Sequence, residues 1–144
     1  HWLWLAGAGP LDAALRIQAR RLEIGGRVRF LGWREDVAAL MAAADVVAVP
    51  SRIEPLGNVV IEAWAHGVPV VAATAAGPRQ LIEHGVNGLL VPHENAPALA
   101  DAIAEIGTGD RAAMIEAGAA AHRAEFTEAA VVDRYTRFFD QVAA

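Results

Sequence analysis

Two carboxylates, Glu54 and Glu62, stand either side of seven residues that include Pro55 and Gly57. One apolar run, residues 45–50, leads into this stretch and another, residues 68–73, leads out of it. Gly57 and Asn58 fall where a helix should begin. Free backbone N–H groups and the positive end of the helix dipole point outward there and suit a phosphate. Gly57 lets the backbone come close to a ligand, and Pro55 stiffens the loop. Glu54 lies in the loop, beside whatever extends past the phosphates. Glu62, about one turn into the helix, can accept two hydrogen bonds from vicinal hydroxyls such as those of a ribose. The stretch therefore suits a ligand with phosphates in the middle and hydroxyl-rich rings at both ends, which describes a nucleotide sugar. The spacing alone fits equally well a solvent-exposed loop glutamate and a surface glutamate near a helix N-terminus.

The elements that must position these groups alternate along the chain. "WLWLAG" at 2–7 is a short apolar run, expected as a buried strand. From Pro10 the residues Leu11, Leu15, Ala19 and Leu22 share one helical face, with Arg16, Arg20 and Arg21 off it, and Gly25 and Gly26 are expected to stop that helix. Strands follow at 27–32, 45–50, 68–73 and 87–92. Helices are expected around Val37, Leu40 and Met41, from Asn58 to about Ala65, as a short turn at 79–83, and around Leu99, Ile103 and Ile106. Asp110 and Thr127 suit N-caps for two more. The last helix, 127–142, carries Val131, Tyr135, Phe138, Phe139 and Val142 on one face. Short apolar strands alternating with amphipathic helices imply an α/β fold: a Rossmann-like parallel sheet with helices on both faces. Such sheets bind ligands at the carboxyl ends of their strands. Those ends carry residues 7–10, 32–35, 50–57 and 74–79, all polar or rich in Gly and Pro.

Composition narrows the function classes. The chain has 144 residues, 55% apolar, with no Cys and a net charge of −5. That length suits one domain. The acidic balance argues against a broad nucleic-acid-binding face. The lack of Cys removes disulfides and thiolate metal sites and suits a reducing compartment. No apolar run reaches membrane-spanning length and no signal peptide is visible. The chain begins at His1, directly in a strand, and reads as a piece of a longer protein.

Taken together, "PSRIEPLGNVVIEAWAHGVPVVA" strongly resembles the signature of retaining glycosyltransferases with two Rossmann-like domains, the GT-B fold. They form a large family that includes sucrose- and glycogen-synthase-like and lipopolysaccharide-building enzymes. Pro50 and Ser51, Glu54, Gly57, Glu62 with Ala63, and Gly67, Pro69, Val70 and Val71 carry the likeness. "LAGAGP", "VRFLGW" and "HGVNGLLVP" resemble further segments of that family, in the right order, through about residues 2–106.

The resemblance implies a role for each matching position. Glu54 would bind hydroxyls of the donor sugar, as the residue at the catalytic centre, and Glu62 would hold the ribose. The backbone of Leu56, Gly57 and Asn58 would meet the diphosphate or the sugar. Gly32, Trp33 and Arg34 would cradle the base, and Gly7 and Gly9 would line the cleft facing the acceptor domain. It implies a single nucleotide-sugar (donor) domain over residues 1–144, truncated at its N-terminus, with the acceptor domain absent. The intact enzyme would move a hexosyl or pentosyl group from a nucleoside diphosphate to an acceptor hydroxyl with retention, in polysaccharide, lipopolysaccharide or glycolipid synthesis. The isolated piece would be inactive. The enzyme would be cytoplasmic or peripheral to the inner face of the membrane, touching lipid only through absent parts. No metal or other cofactor is expected. Two departures stand out: Ala76 precedes Gly77 where the family has Gly-Gly, and Gln80 replaces an acid.

Weaker motifs have blander readings. Gly7-Ala8-Gly9 could open a dinucleotide fingerprint for an NAD-dependent oxidoreductase, but Asp12 stands where its third glycine belongs. A nucleotide-sugar-binding module without activity is the remaining alternative. His66, His84 and His93 lack metal-ligand spacing and read as helix-end or loop residues. No D-x-D is present. Trp2, Trp4 and Trp64 read as core or rim aromatics, and Arg79 as a surface residue or a phosphate-facing charge.

In the family that the chain resembles, a central strand precedes "LAGAGP". Its absence here would leave a vacancy in the sheet. Residues 2–5 and 46–49 are therefore expected not to share a ladder, and the piece is expected to be marginally stable or to self-associate through unpaired strands.

Overall fold

The computed structural model describes residues 1–109 and 111–143. The chain divides into two compact units, His1–Val37 and the residues from Ala38 onward. The expected N-cap Asp110 lies outside the described residues.

In the first unit β1 (Leu3–Ala6) pairs in parallel with β2 (Val28–Gly32), with Leu3 opposite Val28 and Leu5 opposite Phe30. Helix α1 (Asp12–Arg21) connects them. It ends four residues before the glycines expected to stop it. Glu23 takes the left-handed conformation, and the Ile24 and Glu23 N–H groups donate to the Ala19 and Arg20 carbonyls at 3.0 Å each. This is a Schellman motif closed by a glutamate. Of the face expected to be apolar and covered, only Ala19 is buried; Leu11, Leu15 and Leu22 stay exposed. A two-stranded sheet with one helix has too few partners to cover them.

The second unit holds α2 (Val37–Ala42, whose first residue belongs to the first unit), then β3 (Val47–Val49), α3 (Asn58–Ala65), β4 (Val70–Ala73), α4 (Ala76–Leu81) and β5 (Leu89–Val91). Helices α5 (Ala96–Thr108), α6 (Ala112–Glu125) and α7 (Glu128–Ala143) complete it. Strands β3, β4 and β5 form one parallel sheet in that order. Side chains alternate faces along a strand, and β4 shows where its two faces go. Val70 and Ala72 pack with Val60, Ala63 and Trp64 of α3, whereas Val71 packs with Ala102 and Ile106 of α5. Helices therefore cover both faces, as the sequence implies. Among the described residues no ladder joins β1 to β3, in line with the expectation for residues 2–5 and 46–49.

Two boundaries differ from expectation. Helix α4 starts three residues early, because Gly77 and Pro78 sit in its first turn, where Pro is tolerated. Helix α5 starts at Ala96, capped by the Asn95 side chain, which accepts the Ala98 N–H at 3.0 Å. Thr127 caps α7 as expected, its hydroxyl accepting the Ala130 N–H at 3.3 Å. The apolar face of α7 is exposed at Tyr135, Phe138, Phe139 and Val142. Among the described residues no helix is long and apolar enough to cross a membrane.

Candidate functional site

The loop between β3 and α3 is tied down at both ends. Gly57 is the N-cap of α3 and has φ +78°, a left-handed conformation that only glycine adopts cheaply. Its N–H donates to Oε1 of Glu54 at 2.9 Å. The Glu54 carbonyl accepts the Gly77 N–H from the first turn of α4 at 2.8 Å. The Gly57 carbonyl accepts the Val60 and Ile61 N–H groups at 2.9 and 3.3 Å. Among the described residues no protein acceptor meets the N–H groups of Asn58 and Val59. Two unsatisfied donors and the positive end of α3 thus stand beside a carboxylate that keeps its second oxygen for other donors.

Glu62 stands one turn further along α3, four residues after Asn58 and so on the same helical face. It is exposed, and no side-chain partner holds it among the described residues. The opposite face of α3 is anchored. Trp64 is buried and donates from Nε1 to the Asn87 carbonyl at 2.9 Å. Gly118 of α6 packs so close to the indole that a Cβ there would lie 2.5 Å from Cδ1. A rigid back thus presents Asn58 and Glu62 outward. The structure brings Glu54, Leu56, Gly57, Asn58 and Glu62 together on one loop and helix. The sequence places Gly77 on the rim at 74–79 but gives it no role; in the structure its N–H pins the Glu54 carbonyl. Its partner lies 23 residues away, so no local signal could have shown it.

The remaining candidates lie in the first unit. Gly7 has φ +123° and donates to the Gly32 carbonyl at 2.7 Å; Gly32 has φ +66°. Gly9 accepts the Asp12 N–H at 3.3 Å. Trp33 is 80% exposed. Arg34 is held by Asp36 in a two-pronged pair at 2.8 and 2.6 Å. Hydrogen bonding from Arg34 holds the Asp36 carboxyl below its ordinary value, and the same bond raises the Arg34 guanidinium.

A separate groove of about 360 Å³ opens at the carboxyl ends of β3, β4 and β5, between Pro50, Arg52, Ala73, Val91, Glu94 and Leu99. An Arg52–Glu94 ion pair at 2.6 Å crosses it. None of Glu54, Gly57 or Glu62 lines it. His66 and His84 are tied to the backbone. His66 bonds the Glu62 carbonyl through Nδ1 at 2.8 Å, and His84 Nδ1 accepts the Leu90 N–H at 3.0 Å. Among the described residues no three His, Cys, Asp or Glu side chains are grouped to hold a metal ion.

The chain is similar to known proteins in sequence and fold. LpsE of Rhizobium meliloti, a lipopolysaccharide core biosynthesis glycosyltransferase, is 39% identical over 136 residues, covering 93% of this chain and 40% of that protein. The structure of Anabaena HepE in complex with UDP superposes with a TM-score of 0.88 at 33% identity, over 97% of this chain and 41% of that one. HepE in complex with UDP-glucose gives 0.87 at 34% identity, over 97% and 41%. The chain thus spans about two fifths of the length of these relatives. The model of the family described as glycosyl transferases group 1 matches residues 2–109, and the chain belongs to that family.

Proposed function

We propose that this chain is the donor-binding half of a retaining glycosyltransferase. The observation that carries the reading is the start of α3: two open amides at Asn58 and Val59, flanked by the Glu54 carboxylate and by Glu62 on the same helix face. The likeness to HepE, which binds UDP and UDP-glucose, supports the same reading. In it the amides meet the diphosphate and Glu62 accepts the ribose hydroxyls. Glu54 faces the sugar through its second oxygen, Gly32, Trp33 and Arg34 flank the base, and Gly7 and Gly9 line the acceptor side.

The reaction breaks the bond from the sugar's anomeric carbon to the diphosphate and forms one to an acceptor hydroxyl. The hydroxyl proton passes to the departing diphosphate, and the anomeric configuration is kept. Charge developing on the diphosphate is stabilised by helix amides and by basic side chains from outside this chain, without a metal ion. The acceptor domain lies in the rest of the intact enzyme, and residues 1–144 alone bind donor without turning it over. The lipopolysaccharide core biosynthesis relatives support a role in cell-envelope synthesis, and the reading puts the intact enzyme on the cytoplasmic side of the membrane.

Calorimetry tests the assignment. Glu62→Gln is expected to weaken UDP binding by about 1.5–3 kcal/mol, since hydrogen bonds to a charged acceptor are worth that much. Glu54→Gln is expected to leave free UDP nearly unchanged and to weaken UDP-glucose. Equal UDP affinity for wild type and Glu62→Gln would remove the ribose assignment, and binding of NAD in preference to UDP would remove the whole reading.

A further inference from the structure

Gly57 and Gly77 are both buried in the site, and each is glycine for a different reason. At Gly57 the backbone demands it, with φ +78°. A Cβ there would meet Cδ1 of Leu81 at 2.6 Å, the end of a side chain that can turn aside. At Gly77 φ is ordinary, so the demand is for space. A Cβ there would lie 2.4 Å from the Gly57 nitrogen, 2.5 Å from the Leu56 carbonyl carbon and 2.9 Å from the Glu54 carbonyl oxygen. All three are backbone atoms of the single loop that carries Glu54. The loop rests directly on the bare Cα of Gly77 and is held there by the bond from the Gly77 N–H to the Glu54 carbonyl at 2.8 Å.

We propose that Gly77 is a positioning residue for the donor site: its lack of a side chain sets where residues 54–57 lie, and through them where the Glu54 carboxylate and the Gly57 amide face the sugar. This rests on the reading of Glu54 as the sugar-facing carboxylate. Any L-side chain at 77 must push the loop outward by about an ångström to reach ordinary carbon contact distances. A misplacement of that size can cost about 10²-fold in rate when a substrate-positioning group is displaced. Position 76 is different. Ala76 is exposed, so its departure from the family's Gly-Gly is harmless to the loop, and Gly77 is the glycine that matters.

The test uses Gly77→Ala in the 144-residue chain with two readouts. By NMR, the Gly57 N–H in wild type is protected from exchange by the Glu54 carboxylate that accepts its proton at 2.9 Å, and Gly77→Ala speeds that exchange by about tenfold or more; no ligand is involved. By calorimetry, Gly77→Ala keeps UDP affinity within about threefold and loses about tenfold of the UDP-glucose affinity. Gly88→Ala is the structural control. A Cβ there meets the Val70 carbonyl at 3.1 Å, so it stresses the core while leaving both readouts in place. A folded Gly77→Ala chain with unchanged Gly57 amide exchange overturns the proposal. A wild-type chain that binds neither UDP nor UDP-glucose removes the proposed function but leaves the NMR result standing. If Gly77→Ala does not fold, amide exchange in wild type decides: a fast-exchanging Gly77 N–H overturns the proposal, and a protected one supports it.

Discussion

Strands β1 and β4 read almost alike and end differently. "LWLA" and "VVAA" are both unbroken apolar runs, the pattern of parallel strands covered on both faces. In β4 all four residues are buried, with α3 on one side and α5 on the other. In β1 Leu3 and Trp4 remain 48% and 43% exposed. Of the buried apolar residues, only Ala19 and Val28 belong to the first unit. An apolar run records the cover a strand needs, and the need is met only where both layers are present. The second unit has three strands with helices on both faces. The first has two strands, one α-helix and a single 3-10 turn at Gly25–Arg27.

The largest expected effect uses one residue type in the two regions. Trp64 is 3% exposed, bonded through its indole nitrogen and packed on Gly118. Trp64→Ala should cost about 3–5 kcal/mol of unfolding free energy, the range for emptying a large aromatic site. Trp4→Ala should cost about 1 kcal/mol or less, because its site is already open. Urea titrations followed by far-ultraviolet circular dichroism measure both. Equal costs would show that β1 is covered after all and would break the comparison.

A smaller effect concerns association. Among the described residues strand β1 pairs with β2 alone, and an unpaired apolar edge attracts partners. The chain is expected to elute earlier from a sizing column as its concentration rises through the micromolar to millimolar range. Trp4→Lys should reduce that shift, because a charge on an edge strand opposes pairing. A concentration-independent monomer would mean that the edge is protected.

How far the sequence could be read follows the same division. The Glu54–Gly57–Glu62 seam was legible because strand, loop and helix are consecutive, and their chemistry is set by local spacing. The start of α5 was also written there, in Asn95 followed by Pro97, but apolar spacing alone points to Leu99 and passes over the cap. The start of α4 was obscured because Gly77 and Pro78 look like helix breakers and are in fact its first turn. The Schellman end of α1 carries a glutamate where glycine is usual, so the signal sat two residues too late. The contact of Gly77 with the Glu54 loop had no local trace at all, since it depends on how two loops meet over the sheet edge. Exposure of the α1 face was illegible for a related reason. Periodicity tells which residues share a face, not whether anything covers it.

The smallest effect lies in the first unit, at the loop proposed to flank the base. Arg34 and Asp36 form a two-pronged pair, both about half exposed. Arg34 holds the Asp36 carboxyl below its ordinary value. A carboxylate with a depressed folded value favours the folded state above its unfolded value, about 3.9, and this contribution disappears as pH falls through the folded value. Wild type and Asp36→Asn should therefore differ slightly at neutral pH and converge in acid, and about 1 M salt should shrink the difference by screening. Carbon-13 titration of the Asp36 carboxyl gives the direct reading. A midpoint at the ordinary value would mean that the pair does not persist in solution. Arg34 would then be free to swing, and Asp36→Asn would leave UDP affinity unchanged. If the pair persists, the same substitution releases a guanidinium beside Trp33, and UDP affinity should change more than stability does. That contrast separates a residue that orients the loop proposed to flank the base from one that merely decorates an open surface.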